Sequence, residues 1–133
     1  MSLQAKLDAF KADFKGGKAP YFAPPEIHPI MERATAELVA SGQAVRALKA
    51  GDVAPEFTLN DPDGKPVSSV DLLKQGPLVI SFYRGAWCPY CNLELTALEE
   101  ALPLFKAEGA SLIAISPQNA VNSRKSIRTN KLS

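Results

Sequence analysis

Apolar residues recur along this chain with two different periods, and the change between them divides it. Leu3, Leu7, Phe10 and Phe14 are spaced by three or four positions, which predicts an amphipathic helix. Gly16-Gly17 stops that helix. A proline-rich stretch follows from Lys18 to Pro29, with Pro20, Pro24 and Pro25 inside it. Ile30, Ala34 and Leu38 then share one face of a second predicted helix starting near Ile30. The pattern extends past Gly42 through Val45 and Leu48 to Gly51.

From Asp52 onward the pattern shortens. Glu56-Phe57-Thr58-Leu59 and Pro66-Val67-Ser68 read as short strands around the turn residues Asp61-Pro62-Asp63-Gly64. Val70 to Lys74 reads as one helical turn, and Gly76-Pro77 resets the chain. Leu78 to Tyr83 and Ser111 to Ser116 are apolar runs of strand length. Between them, Leu93, Leu95, Leu98, Leu102 and Phe105 mark a helix from Pro89 to Gly109, with Pro103 expected to kink or break it. Strand, helix and strand in that order predict a right-handed βαβ unit. The tail from Asn119 to Ser133 predicts one more helix. The fold class is therefore α/β, with residues 1–50 a helical extension and residues 51–133 the sheet-bearing domain.

Composition narrows the function. The chain has 133 residues with 46% hydrophobic and 22% charged side chains, the balance of a globular domain. A formal net charge of +1 offers no general attraction for nucleic acid or anionic lipid. Arg124, Lys125, Arg128 and Lys131 gather near the C-terminus, where a solvated helix face accounts for them. No apolar run is long enough to span a bilayer. The first fifteen residues alternate charges and show no signal peptide, which makes a cytoplasmic location the default expectation.

Chemistry concentrates in SFYRGAWCPYC, residues 81–91, which holds both cysteines of the chain. Proline is favoured at the first helical position, so Pro89 predicts Cys88 as N-cap and Cys91 as the third helical residue. Both sulfurs then sit at the positive end of the helix dipole, which favours thiolate. Residues three apart on a helix are neighbours, so the pair can close a disulfide. Arg84, four residues before Cys88, either solvates a strand end or holds a positive charge near the thiolate, with Tyr83 and Trp87 expected to shield the pair. Glu94, three residues past Cys91, is either a surface residue or a partner for Arg84. A zinc site lacks ligands, since His28 is the only histidine and lies far upstream. No metal and no organic cofactor are expected. Two inert buried thiols remain the plainer alternative.

The chain resembles the alkyl hydroperoxide reductase/thiol-specific antioxidant branch of the peroxiredoxins, within the thioredoxin-like superfamily. Four stretches carry the resemblance in order: Gly51 to Leu59, Asp61 to Val67, Leu78 to Cys91, and Ala114-Ile115-Ser116-Pro117-Gln118. The resemblance implies a thioredoxin-like (peroxiredoxin) fold, incomplete at the C-terminus, with the helical extension before it. It also implies reduction of hydrogen peroxide or alkyl hydroperoxides, with thioredoxin, glutathione or a similar thiol as reductant. The family pattern of Pro, Thr, peroxidatic Cys and Glu falls on Arg84, Cys88, Cys91 and Glu94. Cys91 is then peroxidatic, and Cys88 stands in the threonine position as the resolving cysteine. Trp87-Cys88-Pro89-Tyr90-Cys91 is also similar to the thioredoxin WCxxC motif, which makes Cys88 the alternative nucleophile.

Two rival functions follow from these features. One is a thioredoxin-like thiol–disulfide oxidoreductase, and the other an inactive interaction module. A small sheet with an open edge further predicts pairing with a second copy, hence a homodimer.

Overall fold

The computed structural model describes residues 1–133 and separates into two compact units, Met1–Pro55 and Glu56–Ser133.

The first unit is helical. Helix α1 spans Leu3–Lys15, capped by the Ser2 hydroxyl, which accepts a hydrogen bond from the Ala5 N–H. Helix α2 spans Ile27–Ala40, so it begins earlier than the apolar spacing predicted. Pro29 causes no conflict there, because the first-turn N–H groups of a helix have no intrahelical partner to lose. The expected continuation to Gly51 does not form. Gly42 adopts φ of 70° and ends the run, leaving only a short α3 at Gln43–Arg46. The His28 ring packs edge-on against Phe14 at 5.6 Å between centroids, within a group that includes Phe10 and Tyr21.

The second unit carries the strands. β1 (Thr58–Asn60) and β2 (Pro66–Ser68) form an antiparallel hairpin with Leu59 opposite Val67. β1 starts later than the sequence suggested because Phe57 is held differently. Its N–H donates to the Ser69 hydroxyl and its carbonyl accepts from the Ser69 N–H. Helix α4 (Ser69–Leu73) follows, capped by Ser68. β3 (Leu78–Phe82) and β4 (Ser111–Ile115) pair in parallel, Leu78 opposite Ser111 and Phe82 opposite Ile115. The hairpin and this parallel pair are two separate two-stranded sheets rather than one.

Helix α5 (Pro89–Ala107) links β3 to β4 and runs without interruption through Pro103. Of the expected kink or break, the break is absent, and Pro103 itself is exposed. Gly76 and Gly109 meet where the strands begin. A Cβ on Gly76 would lie 2.1 Å from the Gly109 carbonyl oxygen, so only glycine permits this approach. Helix α6 (Ala120–Asn130) closes the unit with Asn119 as its cap. Leu95, Cys88 and Cys91 are buried, as are Ser69, Ser126 and Asn130, so the deepest positions of this unit include both sulfurs and several polar groups. No helix is long and apolar enough to cross a membrane.

Candidate active site

The parallel strand β3 delivers the chain to the start of α5, and the turn between them builds the site. The Cys88 N–H donates to the Gly85 carbonyl at 3.0 Å, closing a four-residue turn. Gly85 has φ of 152°, and a Cβ there would lie 2.8 Å from Trp87 Nε1, so the turn depends on glycine. Pro89 then starts the helix with Cys88 as its N-cap, as the spacing predicted.

The cap is a sulfur. Cys88 Sγ accepts the Cys91 N–H at 3.3 Å, where a serine or aspartate oxygen usually stands. Cys91 Sγ lies 2.7 Å from Cys88 Sγ and donates its proton to it. Both cysteines are free thiols. Arg84 supplies a third donor to Cys88, its Nη2 at 3.1 Å from the sulfur, while the Arg84 backbone N–H points to Cys91 Sγ at 3.5 Å.

These contacts divide the pair. Burial pushes the Cys88 thiol up, but donors from the Cys91 thiol, the Cys91 N–H and the Arg84 guanidinium outweigh it, so its pKa falls below the ordinary value. Burial pushes the Cys91 thiol up as well, and the hydrogen bond it gives to Cys88 holds it higher still. The two sulfurs share the proton of Cys91, and Cys88 is the more readily ionised of them. Cys88 is fully enclosed, whereas Cys91 keeps 8% of its surface exposed.

The structure brings Arg84, Trp87, Cys88, Pro89 and Cys91 together. The Arg84 guanidinium carbon sits 5.1 Å from the Trp87 ring centroid, a cation–π contact. Trp87 itself is 69% exposed, so it holds Arg84 from outside instead of shielding the sulfurs. Glu94 forms no ion pair with Arg84, which faces Cys88; the ion pairs of this unit are Lys74–Asp71 and Arg124–Asp63.

Two further residues hold the turn, and sequence spacing did not single out their role. Gln118 Oε1 accepts the Ala86 N–H at 2.9 Å, and Asn92 Nδ2 donates to the Ala86 carbonyl at 3.1 Å. Gln118 lies 32 positions beyond Ala86, so only chain folding reveals the contact. Tyr83, expected as a shield, instead accepts a hydrogen bond from Gln118 at its hydroxyl.

An apolar cavity of about 580 Å³ adjoins Tyr83 and Gln118 and is bounded by Phe57 and Val67 of the hairpin side, Leu95 and Leu98 of α5, and Leu112 of β4.

Comparisons with known proteins bear on this geometry. The profile of the AhpC/TSA family matches residues 50–133. Peroxiredoxin Bcp of Escherichia coli strain K12 is 39% identical over 69 residues, covering 52% of this chain and 44% of that protein. The crystal structure of peroxidoxin BcpB from Mycobacterium tuberculosis superposes with a TM-score of 0.62 at 29% identity, covering 65% of this chain and 56% of that one. A thiol:disulfide interchange protein of the thioredoxin family from Chlorobium tepidum superposes at 0.53 with 25% identity, covering 65% and 59%. The chain spans less than half the length of the curated relatives it matches.

Proposed function

The chain belongs to the AhpC/TSA family, and from that premise we propose that it reduces hydroperoxides through its own cysteine pair, Cys91 attacking and Cys88 resolving. Its fold is thioredoxin-like. The observation that carries the reading is the sulfur–sulfur contact of 2.7 Å at the start of α5, with the Arg84 guanidinium on one of the two sulfurs.

The chemistry balances with the groups present. As Cys91 sulfur attacks the terminal oxygen of a hydroperoxide, its proton passes to the adjacent Cys88 sulfur. The O–O bond breaks, the hydroxyl stays on Cys91 as a sulfenic acid, and the alkoxide leaves. The proton held by Cys88 neutralises that alkoxide to the alcohol. Cys88, again a thiolate, attacks the Cys91 sulfenic sulfur and expels hydroxide, forming the disulfide. The pair loses two electrons and the peroxide gains them. A thiol reductant such as thioredoxin or glutathione then returns the pair to the dithiol by exchange. Arg84 favours the charged Cys88 at both ends of this cycle. The residual exposure of Cys91, against none at Cys88, supports Cys91 as the sulfur a peroxide reaches first. A second copy pairing along the open edge of β4 is the form in which we expect the chain to act.

One observation favours a second reading. Cys88, the position that attacks in the WCxxC arrangement, is the more readily ionised sulfur, and a disulfide of another protein would then be the substrate. Peroxide titration of Cys88→Ser and Cys91→Ser with sulfenic-acid trapping, alongside an insulin reduction assay, separates the two. The proposal expects sulfenate on Cys91 in Cys88→Ser, little in Cys91→Ser, and weak insulin reduction by the parent. Full-rate sulfenate on Cys88 in Cys91→Ser would reverse the assignment. Insulin reduction without peroxide consumption would favour the second reading. Reaction with peroxide no faster than free cysteine, and no insulin reduction, would leave an interaction module.

A further inference from the structure

The turn that presents the two sulfurs is gripped at a single peptide unit on each side of one residue. Ala86 has its N–H bound by Gln118 and its carbonyl bound by Asn92, both through side-chain amides. Ala86 sits inside the turn that Gly85 and Cys88 close, between Arg84 and Cys88. A displacement of this residue therefore moves Arg84 relative to the Cys88 sulfur, a contact that exists only at 3.1 Å.

The two amides are themselves anchored to one element. Gln118 Nε2 donates to the Tyr83 hydroxyl at 2.7 Å and to the Ser126 hydroxyl at 3.1 Å. Asn92 Oδ1 accepts from Asn130 Nδ2 at 3.0 Å, and the same Asn130 amide donates to the Ser126 carbonyl. Ser126 and Asn130 are one turn apart on α6, and they are its two buried residues, at 1% and 7% exposure. Buried polar groups are costly unless paired, and these are paired with each other and with the turn. Gly85 adds an independent constraint, since a Cβ there would lie 3.2 Å from Gln118 Oε1. The amide of Gln118 therefore approaches as closely as it does because position 85 is glycine.

We propose that Gln118 and Asn92 are positioning residues of the cysteine pair, clamping Ala86 from both sides, and that the buried face of α6 holds that clamp through Ser126 and Asn130. Neither residue touches a sulfur. They act through Ala86 on the distance between Arg84 and Cys88, so their effect is on the ionisation of the pair and on its readiness to react. The clamp rests on the cysteine pair being the reactive site, whichever substrate it takes.

Gln118→Met keeps the side-chain length and removes every hydrogen bond of the clamp's first jaw. Asn92→Ala removes the second jaw at a position where alanine suits the helix. The test is the pH profile of iodoacetamide alkylation of the reduced chain, read together with its thermal unfolding. In both variants the midpoint of alkylation is expected to rise by about one pH unit, with reaction at pH 7 slowed about tenfold. Ser126→Ala, one step further out, is expected to shift the midpoint in the same direction by less. An unchanged midpoint in Gln118→Met and Asn92→Ala, even with a lowered unfolding temperature, would show the amides to be merely structural and overturn the proposal. If either variant does not fold, the midpoint of the other and of Ser126→Ala decides. Alkylation needs no peroxide, so failure of the peroxidase reading leaves this test standing, and a shifted midpoint in a chain without peroxidase activity would separate the two.

Discussion

The Arg84 guanidinium reaches Cys88 Sγ at 3.1 Å from four residues upstream, while its flat face rests against the exposed Trp87 ring. One side chain thus joins a buried sulfur to a solvent-facing aromatic. The Cys88 contact is also the largest of the interactions that raise the pKa of Arg84 itself. The guanidinium and the thiolate stabilise each other's charged forms, as a linked pair must.

Removing that charge should make the Cys88 thiol harder to ionise. In Arg84→Met the Cys88 sulfur keeps its donors from the Cys91 backbone and thiol but loses the cation. Its pKa should rise, because an opposite charge beside the sulfur favours the ionised form. Thiolate absorbance followed across a pH titration checks the shift. Peroxide consumption should fall at pH 7 and recover toward the parent rate as pH is raised. An activity loss that alkaline pH does not repair would mean that Arg84 acts on the substrate instead.

The divided pair makes stability of the reduced chain depend on pH in two opposite ways. Cys88 is buried, which raises its pKa, yet its donors bring the folded value below the unfolded one. Its contribution is therefore fully present above the unfolded thiol pKa of about 8.5 and is lost as pH falls through the depressed folded value. Cys91 is raised by burial and by its bond to Cys88. Its contribution is fully present below about 8.5 and is lost as pH rises through the raised folded value. Together they should give a maximum near pH 8.5 in the stability difference between the reduced parent and the Cys88→Ser, Cys91→Ser double variant. Urea unfolding in excess reductant across pH 6 to 10 measures it, about the range in which thiols titrate. A flat difference would show that the two sulfurs do not share a proton as described.

What the sequence made legible follows from the range of each interaction. The cap at Cys88 was readable because Pro89 and the cysteine spacing are local, and local rules decide a helix start. The pairing of Leu78–Phe82 with Ser111–Ile115 was readable because two apolar runs flank one long helical pattern. Pro103 does not interrupt α5, because packing of the helix's apolar face can outweigh the one hydrogen bond that an exposed proline removes. The onset of α2 and the break at Gly42 turned on backbone choices at single residues, to which apolar spacing is blind. Gln118 and Asn92 were hidden for a different reason. Their amides act on Ala86, an unremarkable alanine in the sequence, and the contact with Gln118 exists only after β4 has paired with β3.

Gly85→Ala should disturb both the turn and the clamp. A side chain at φ of 152° is strained, and the new Cβ would meet Trp87 and Gln118 at 2.8 and 3.2 Å. The strain alone costs about 1–3 kcal/mol. Relief requires Trp87 to swing away, which removes the aromatic face behind Arg84. Trp87 is the only tryptophan, so its fluorescence reports the movement directly. A red-shifted or altered emission together with lower stability is expected. Unchanged emission at parental stability would show that the turn has another way to accommodate the methyl group.

The sulfur cap allows stability and redox chemistry to be separated at one position. Cys88 Sγ accepts the Cys91 N–H, so Cys88 both starts α5 and supplies half of the cysteine pair. Serine offers an oxygen acceptor in the same place and is among the best N-caps, whereas alanine offers none. Cys88→Ser should therefore fold with stability close to that of the reduced parent, while Cys88→Ala should lose about 1 kcal/mol. Both variants leave Cys91 as the only cysteine, so neither should form the intramolecular disulfide after peroxide treatment. Urea unfolding of the three reduced proteins gives the stabilities, and mass spectrometry after oxidation gives the disulfide. Equal loss of stability in the two variants would mean that the buried thiolate, and not the cap, is what α5 needs at this position. The contact with Arg84 would then be the dominant interaction of Cys88 in the fold as well as in the chemistry.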